Sequence, residues 1–176
     1  TILISSAFYL FFGTLRDFFN KRHNNISQNT AHFGFSLLIL SILFNNLFST
    51  EIITNLKVGE SFETSKTKIV FESINQKKEI NYKSIVANFN IQNSIGKSEN
   101  LSPELRIYNQ PNIVTSEADI KTSLISDKFI VINLVQNQDY FNVRYQVKPF
   151  MLWIWISVVL ISFGGLMSLF KKKYEK

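Results

Sequence analysis

The side chains that could do chemistry in this sequence are few, because it contains no cysteine and only two histidines. Without cysteine there is no disulfide, no thiolate metal site and no cysteine nucleophile. His23 lies among Lys21, Arg22 and polar residues, which is typical of a solvent-facing loop. His32 is different, because it stands in Thr30–Gly34, where an apolar segment begins.

An imidazole at the start of an apolar helix is costly unless it is paired, hydrated or bound to a metal. One interpretation of His32 is an axial ligand of haem iron, which accepts a neutral imidazole nitrogen. Gly34 would then let the flat macrocycle approach the backbone. The other interpretation is an interfacial histidine hydrated among lipid headgroups, and position alone favours it. Both stay open at this point.

The motifs of common enzymes do not occur. There is no Gly-x-Ser-x-Gly elbow, no Walker loop and no dinucleotide fingerprint, and the pair Gly164-Gly165 lies inside an apolar run. Several acidic residues are scattered through the polar middle of the chain and are typical of a solvated surface: Glu51, Glu60, Glu63, Glu72 and Glu79. The sequence therefore predicts no catalytic residue.

Apolar residues concentrate at the two ends of the chain, in the runs Thr1–Leu15, Ala31–Phe48 and Phe150–Phe170. A helix needs about 20 apolar residues to cross a bilayer core. The third run has that length without a charge, and Trp153 and Trp155 near its start suit an aromatic belt. We predict three transmembrane helices. Because the first run is short, the chain is expected to continue before Thr1.

The formal net charge of +6 does not indicate nucleic-acid binding, because basic clusters flank the apolar runs. Lys21-Arg22 and the tail Lys171–Lys176 should stay on the cytoplasmic side, or on the matrix side of a mitochondrion. With three spans, Ser49–Lys148 must then lie outside.

The outer segment has the alternation of β-strands. Strands are predicted at Lys68–Ile74, Ser84–Ile91, Phe129–Val135 and Tyr140–Val147, and one short helix at Ser116–Ser123. Turns or loop points are expected at four residues: Gly59, Gly96, Pro103 and Pro111. Six to eight short strands would form a small barrel or sandwich.

The predicted fold class is thus membrane α-helical plus all-β, with three transmembrane helices and a small outer β-barrel or sandwich between the second and third. Residues 1–22 form a helix and a basic inner loop, and 23–48 an inner loop and the second helix. Residues 49–148 form the outer β domain, and 149–176 the third helix and a basic inner tail.

Several short motifs follow one another along the chain, among them Ala-His-Phe-Gly at Ala31–Gly34. The others are Gly13–Asp17, Phe48–Glu51, Val58–Glu60, Pro103–Tyr108, Ser116–Ile120 with Asp127, Lys148–Phe150, Trp153–Trp155 and Gly164–Gly165. In this order, the motifs resemble the carboxy-terminal part of CcmF-type cytochrome c haem lyases, in which an Ala-His-x-Gly motif opens a late transmembrane helix. Departures from the family pattern occur at Leu105, Lys128, Phe129 and Leu152.

The resemblance implies a role in cytochrome c maturation. The family receives haem from the carrier CcmE, attaches it to the Cys-x-x-Cys-His thiols of apocytochrome c and works with CcmH-type thiol proteins. By the same resemblance, His32 would be one axial ligand of a membrane b-type haem that reduces the incoming haem iron. The second ligand and the family's tryptophan-rich haem-handling segment would lie upstream, in the rest of a CcmF chain or in a split subunit.

On this interpretation the chain is not catalytic alone, and it lies in a bacterial inner membrane with its β domain in the periplasm, or in a mitochondrial inner membrane. No nucleic-acid partner is expected. The alternative is a non-catalytic, membrane-anchored scaffold of a larger complex. Arg106, Arg144 and Lys148 are expected to serve the surface or the fold rather than to contact haem propionates.

Overall fold

A computed structural model describes most of the chain as two compact units. The described residues are 2–19, 25–64, 67–93, 96–135 and 139–174, with side chains described up to residue 170. The helical unit comprises Thr1–Ser49, Thr122–Asp127 and Lys148–Lys176, and the β domain comprises Thr50–Lys121 and Lys128–Val147. The predicted loop residues Lys21, Arg22 and His23, and the side chains of the basic tail, lie outside this description.

The described part of the helical unit is built on α1 (Ile2–Phe19), α2 (Ile26–Phe48) and α3 (Met151–Tyr174). By length and composition each helix is able to cross a membrane, and Met151–Phe170 of α3 has a mean hydropathy of 2.0. Twenty helical residues rise about 30 Å, the thickness of the hydrocarbon core. The prediction of three apolar helices is confirmed.

Helix α2 starts five residues before the apolar run predicted from Ala31, because polar residues extend it. The Thr30 hydroxyl donates to the Ile26 carbonyl oxygen at 2.8 Å, which satisfies that hydroxyl within the helix. Ser27 and Thr30 are buried although the sequence around them is polar. The helix therefore begins with small hydroxyl residues packed inside the unit.

Helices α2 and α3 approach closely because glycines lie in their contact. A Cβ added to Gly164 would lie 2.7 Å from the Ala31 nitrogen and 2.8 Å from the Ser27 carbonyl oxygen. A Cβ added to Gly34 would lie 3.0 Å from the Ile161 nitrogen. Small residues at a helix contact let main chains touch, which favours association where both helices are surrounded by lipid.

Helix α1 packs on α2 through polar contacts and several aromatic contacts. The Thr14 and Ser36 hydroxyl oxygens lie 2.6 Å apart, and Ser36 is fully buried. The Phe11 and Phe33 ring centroids lie 5.7 Å apart. These contacts fix the first helix against the second.

Across its described residues the β domain contains ten strands, four of them close to the positions predicted. They are β1 (Thr50–Leu56), β2 (Ser61–Glu63), β3 (Thr67–Lys78), β4 (Tyr82–Asn93), β5 (Ser98–Leu101), β6 (Glu104–Asn109), β7 (Asn112–Glu117), β8 (Asp119–Thr122), β9 (Ser126–Leu134) and β10 (Phe141–Pro149). A four-stranded sheet has the order β1-β10-β9-β8. A six-stranded sheet has the order β2-β3-β4-β6-β7, with β5 also paired to β4.

The two sheets share one apolar core and so form a sandwich, as predicted. Phe71 and Phe89 are opposite each other on β3 and β4, with their rings stacked at 4.4 Å. Phe141 of β10 meets Phe71 edge-on at 5.7 Å, which joins the two sheets. Buried around these rings are Leu56, Ile69, Ala87, Ile91, Leu101, Leu105, Ile130, Ile132, Val143 and Tyr145.

The predicted helix at Ser116–Ser123 is wrong. The segment forms the end of β7 and all of β8, and Ser116 pairs with Leu105 of β6 instead of capping a helix. Its hydroxyl lies 2.6 Å from the Asn133 side-chain oxygen. Pairing with β6 outweighs the weak local signal of Ser116 as a cap.

The turn predictions at Gly59 and Gly96 are confirmed, since both residues have positive φ. Gly59 has φ +88° and Gly96 has φ +79°, a region that glycine adopts without steric cost. The Gly59 N–H donates to the Phe71 carbonyl oxygen at 2.8 Å, which fixes the β1–β2 turn.

A salt bridge links the two sheets of the sandwich. The Lys128 ammonium of β9 donates to a Glu99 carboxylate oxygen of β5 at 2.6 Å, and the Glu99 side chain is only 10% exposed. This hydrogen bond holds the pKa of Glu99 below its usual value. Burial raises the pKa of the nearby core residue Tyr145 to about 12, so its phenol stays neutral.

We expect Gly164→Ala to destabilise the helical unit by about 1–3 kcal/mol, because the added methyl group meets main-chain atoms of α2 that must shift. The matched control is Gly165→Ala, whose Cβ would meet nothing within 4 Å and which gains helix propensity. Thermal unfolding in detergent, followed by the fluorescence of the α3 tryptophans, measures the difference. Equal stability of the two variants would contradict the close contact at Gly164.

We expect the β domain to lose stability as the pH falls through the lowered pKa of Glu99. A carboxyl whose folded pKa is depressed stabilises the protein above its unfolded pKa, near pH 4, and stops doing so below the folded value. Glu99→Gln should therefore cost about 1–3 kcal/mol at pH 7 and progressively less as the pH falls from 4.5 toward the lowered pKa.

Circular dichroism of unfolding at several pH values tests this, with Glu63→Gln as the control. Glu63 lies 4.0 Å from Lys68 with its side chain 70% exposed, so its loss should change stability little. If the difference in unfolding free energy between Glu99→Gln and the unsubstituted chain is the same at pH 7 and at pH 3, the role of this salt bridge is contradicted.

Candidate functional site

His32 lies on the exposed side of the first third of α2, beside the contact with α3. It lines an open groove of about 320 Å³ that runs along the two helices. The groove is lined by Asn25, Ser27, Gln28, Ala31, His32, Gly164, Gly165 and Ser168. All of these residues belong to the helical unit.

The groove exists because its α3 side carries almost no side-chain volume. Gly164 is buried against the main chain of α2, whereas a Cβ on the next residue, Gly165, would meet nothing within 4 Å. Ala31 and Ser168 add only small side chains. The two glycines therefore have separate uses: Gly164 brings the helices together, and Gly165 leaves space beside His32.

The room that was expected beside His32 from Gly34 is not there. Gly34 is buried in the contact with α3, where a Cβ would lie 3.0 Å from Ile161 and Leu160 atoms. Residues two apart on a helix point about 200° apart, so Gly34 cannot open the side that carries His32. Gly165, on the neighbouring helix, provides the open surface instead.

The His32 imidazole has no hydrogen-bond partner among the described residues, so a ring nitrogen is free to bind a metal. No group of three or more His, Cys, Asp or Glu residues comes together within the described part of the chain. A site built from these residues therefore offers a single strong ligand. That suits one axial position of a haem and does not suit a tetrahedral zinc site, which needs several protein ligands.

The lining of the groove fits one edge of a flat, partly polar group. Small residues form the part nearest His32, and the polar side chains of Asn25, Gln28 and Ser168 lie along the same groove. The groove is shallow and open, so a macrocycle bound to His32 would extend past it toward another protein or lipid. A second axial ligand would have to come from that other side.

Two of the three basic residues considered for contact with haem propionates have partners in the β domain. Arg106 donates from Nε to Glu104 at 3.1 Å, and its guanidinium lies 5.3 Å from the centre of the Tyr82 ring. Arg144 forms a salt bridge with Glu51.

Sequence reasoning missed the groove residues around His32. Ser27 and Ala31 are four residues apart on α2, and Gly164 and Ser168 are four apart on α3, so each pair shares one helix face. That spacing of small residues in two apolar helices was the available signal. It did not reveal which two helices would pair.

A profile described as the CcmF C-terminal beta-sandwich matches residues 47–149, which is more than half of the chain. The chain belongs to the CcmF family. The matched range covers the whole of the sandwich and ends where α3 begins.

Curated proteins of the same family are similar across most of this chain. The cytochrome c-type biogenesis protein CcmF of Escherichia coli is 29% identical over 147 residues, 83% of this chain and 23% of that protein. The cytochrome c-type biogenesis protein ccl1 of Rhodobacter capsulatus is 31% identical over 145 residues, with 82% and 22% covered. The chain thus spans about a quarter of the length of these relatives.

A solved structure has the same fold. The cytochrome c haem lyase CcmF aligns with a TM-score of 0.63 at 18% identity, covering 80% of this chain and 24% of that one. At this identity the likeness shows the arrangement of helices and strands alone. Membership of the family and the membrane-spanning helices are thus shown, and the activity is a separate question.

Proposed function

We propose that this chain is the carboxy-terminal segment of a haem lyase that attaches haem to apocytochrome c during cytochrome c biogenesis. In this proposal His32 supplies one axial ligand to a b-type haem in the membrane, and the β domain is a docking surface. The chain does not catalyse the attachment alone. The upstream part, on the same chain or on a separate subunit, supplies the second ligand and the reaction site.

The observation that carries the proposal is the position of His32. It is exposed on an apolar helix, without a partner among the described residues, beside a groove kept open by Gly165. An imidazole without a partner is costly within a membrane span. Binding to a metal would remove that cost, so it accounts for His32 better than an unsatisfied side chain does. The relatives named above, one of them a solved haem lyase, make haem the ligand to test first.

Six of the groove residues have a defined task in this proposal. His32 holds the iron, Gly165 and Ala31 allow the ring to approach the helices, and Gln28 and Ser168 offer hydrogen bonds to polar substituents. A b-type haem bound there would supply electron transfer. The close contact at Gly164 positions the two helices so that the ligand and the open surface stay side by side.

We further propose that the β domain faces the periplasm from a bacterial inner membrane, or the intermembrane space in a mitochondrion. The basic flanks at Lys21-Arg22 and Lys171–Lys176 support this sidedness by the positive-inside rule. The haem carrier, the thiol protein and the apocytochrome would then meet the domain on that side. Aliphatic side chains exposed on β7, Ile113 and Val114, give it a surface for such contacts.

The alternative function is a non-catalytic scaffold, in which His32 is a hydrated interfacial residue. The scaffold function is favoured by the openness of the groove and by its partly polar lining. Lipid headgroups or water could then form hydrogen bonds with the imidazole. The presence or absence of haem absorption separates the two functions.

In the purified full assembly, His32→Ala should abolish a reduced-minus-oxidised signal of b-type haem, and added imidazole should restore it. The imidazole fills the position that the side chain vacated, while the other axial ligand stays in place. Gly165→Leu should also lower haem content, because its side chain would fill the groove beside His32.

The matched control is Ile42→Ala, which alters an exposed side chain of the same helix that does not line the groove. It should keep the spectrum. If His32→Ala co-purifies with its partners and retains the full haem signal, the ligand role is refuted and the scaffold function is favoured.

The sidedness is tested by single cysteines, because the chain has none of its own. Ile80, at the tip between β3 and β4, is fully exposed, so Ile80→Cys should react with a membrane-impermeant maleimide added outside intact cells. Lys176→Cys, in the basic tail, should react only after the membrane is opened. The reverse pattern would overturn the proposed topology.

A further inference from the structure

The loop between β8 and β9 presents two large aliphatic side chains at its tip. Leu124 is 70% exposed and Ile125 is 69% exposed. The loop is closed below them by serines: the Ser126 N–H donates to the Ser123 hydroxyl oxygen at 3.1 Å, and that hydroxyl donates to the Ser126 carbonyl oxygen at 2.6 Å. A short turn thus holds both side chains outward.

This loop is attached to the start of α3, within the helical unit. The Phe150 N–H donates to the Ile125 carbonyl oxygen at 2.8 Å. The Trp153 indole N–H donates to the Leu124 carbonyl oxygen, also at 2.8 Å. Both bonds use main-chain oxygens of the loop, so they fix the height of the tip along α3 whatever side chains it carries.

The end of α2 is attached at the same level. The Asn45 side-chain N–H donates to the Pro149 carbonyl oxygen at 2.7 Å, and the Phe44 and Phe150 ring centroids lie 5.2 Å apart. Phe150 itself has φ +60°, which turns the chain sharply from β10 into α3. The tip, the end of α2 and the first turn of α3 therefore occupy one level.

By length and composition, that level corresponds to the membrane boundary expected for α3. The apolar segment of α3 begins at Met151, immediately after the attachment point. Tryptophan prefers this boundary because its ring is apolar and its N–H is polar, and here the Trp153 N–H is satisfied by the loop. Leu124 and Ile125 therefore lie level with this expected boundary.

We infer that the Leu124–Ile125 tip inserts into the lipid leaflet where α3 begins, as a membrane anchor additional to the helices. The partner of this surface is lipid, because the tip is continuous with the membrane-facing start of α3 and consists of aliphatic side chains. It requires neither haem nor the proposed lyase function. A protein partner covering the tip is the competing outcome.

The experiment uses the full chain in lipid nanodiscs, with Leu124→Cys carrying an environment-sensitive nitrobenzoxadiazole label. The chain has no native cysteine to remove, and the substitution leaves the main-chain hydrogen bonds of the loop in place. The expected result is blue-shifted emission that lipid nitroxides near the headgroup quench several-fold more strongly than aqueous iodide does.

The matched control is Ile113→Cys with the same label. Ile113 is also aliphatic and 49% exposed, but it lies on β7 of the β domain. Its label should show aqueous emission and iodide quenching. Circular dichroism confirms that both labelled chains keep their fold.

Two results would overturn the inference. If the label at residue 124 is quenched by iodide as strongly as the label at residue 113, the tip lies in water. If it is shielded from both iodide and lipid nitroxides, the tip is covered by protein, either another copy of the chain or the chain itself. Quenching by lipid nitroxides alone supports insertion.

Discussion

The contact between Gly164 and the main chain of α2 determines what the helical unit can present. With no side chain at this position, α3 lies against Ser27 and Ala31. The next residue, Gly165, then becomes the open floor beside His32. In lipid there is little hydrophobic gain from pairing two apolar helices, so close van der Waals contact has to supply the stability. A larger residue at position 164 would separate the two helices, and the groove between them would be lost as well.

The two units are stabilised by different means, as their surroundings require. In the helical unit, polar groups satisfy one another within apolar helices, as with the hydroxyls of Thr14 and Ser36 and the Asn45 amide on the Pro149 carbonyl. The β domain instead buries a cluster of aromatic and aliphatic side chains between two sheets. The salt bridge between Glu99 and Lys128 adds an electrostatic link across those sheets. Burial of apolar side chains stabilises a domain that is surrounded by water, whereas an unpaired polar group is most costly in apolar surroundings.

The helices were predictable because uninterrupted apolar length is a strong signal, and four long strands were predictable from their alternation. The short strands β2, β5 and β8 were not, since three or four residues carry too little pattern. Ser116 resembled a helix cap by residue type alone, whereas its pairing with Leu105 of the neighbouring strand β6 makes it part of a hairpin. For the site, chemistry singled out His32, but the groove depends on Gly165, 133 positions later in the chain. Only the pairing of α2 with α3 brings the two residues together.

The pairing of β1 with β10 also bears on the stability of the helix pair. These strands are the first and last of the β domain, and they are antiparallel neighbours from Thr50 opposite Val147 to Leu56 opposite Phe141. While they are paired, the ends of the long segment between α2 and α3 are held together, so closing that loop costs no further conformational entropy when the helices pair. The end of α2 and the start of α3 then meet at a high effective concentration. Pairing of β1 with β10 therefore favours the pairing of α2 with α3, and a substitution that unfolds the sandwich would weaken both.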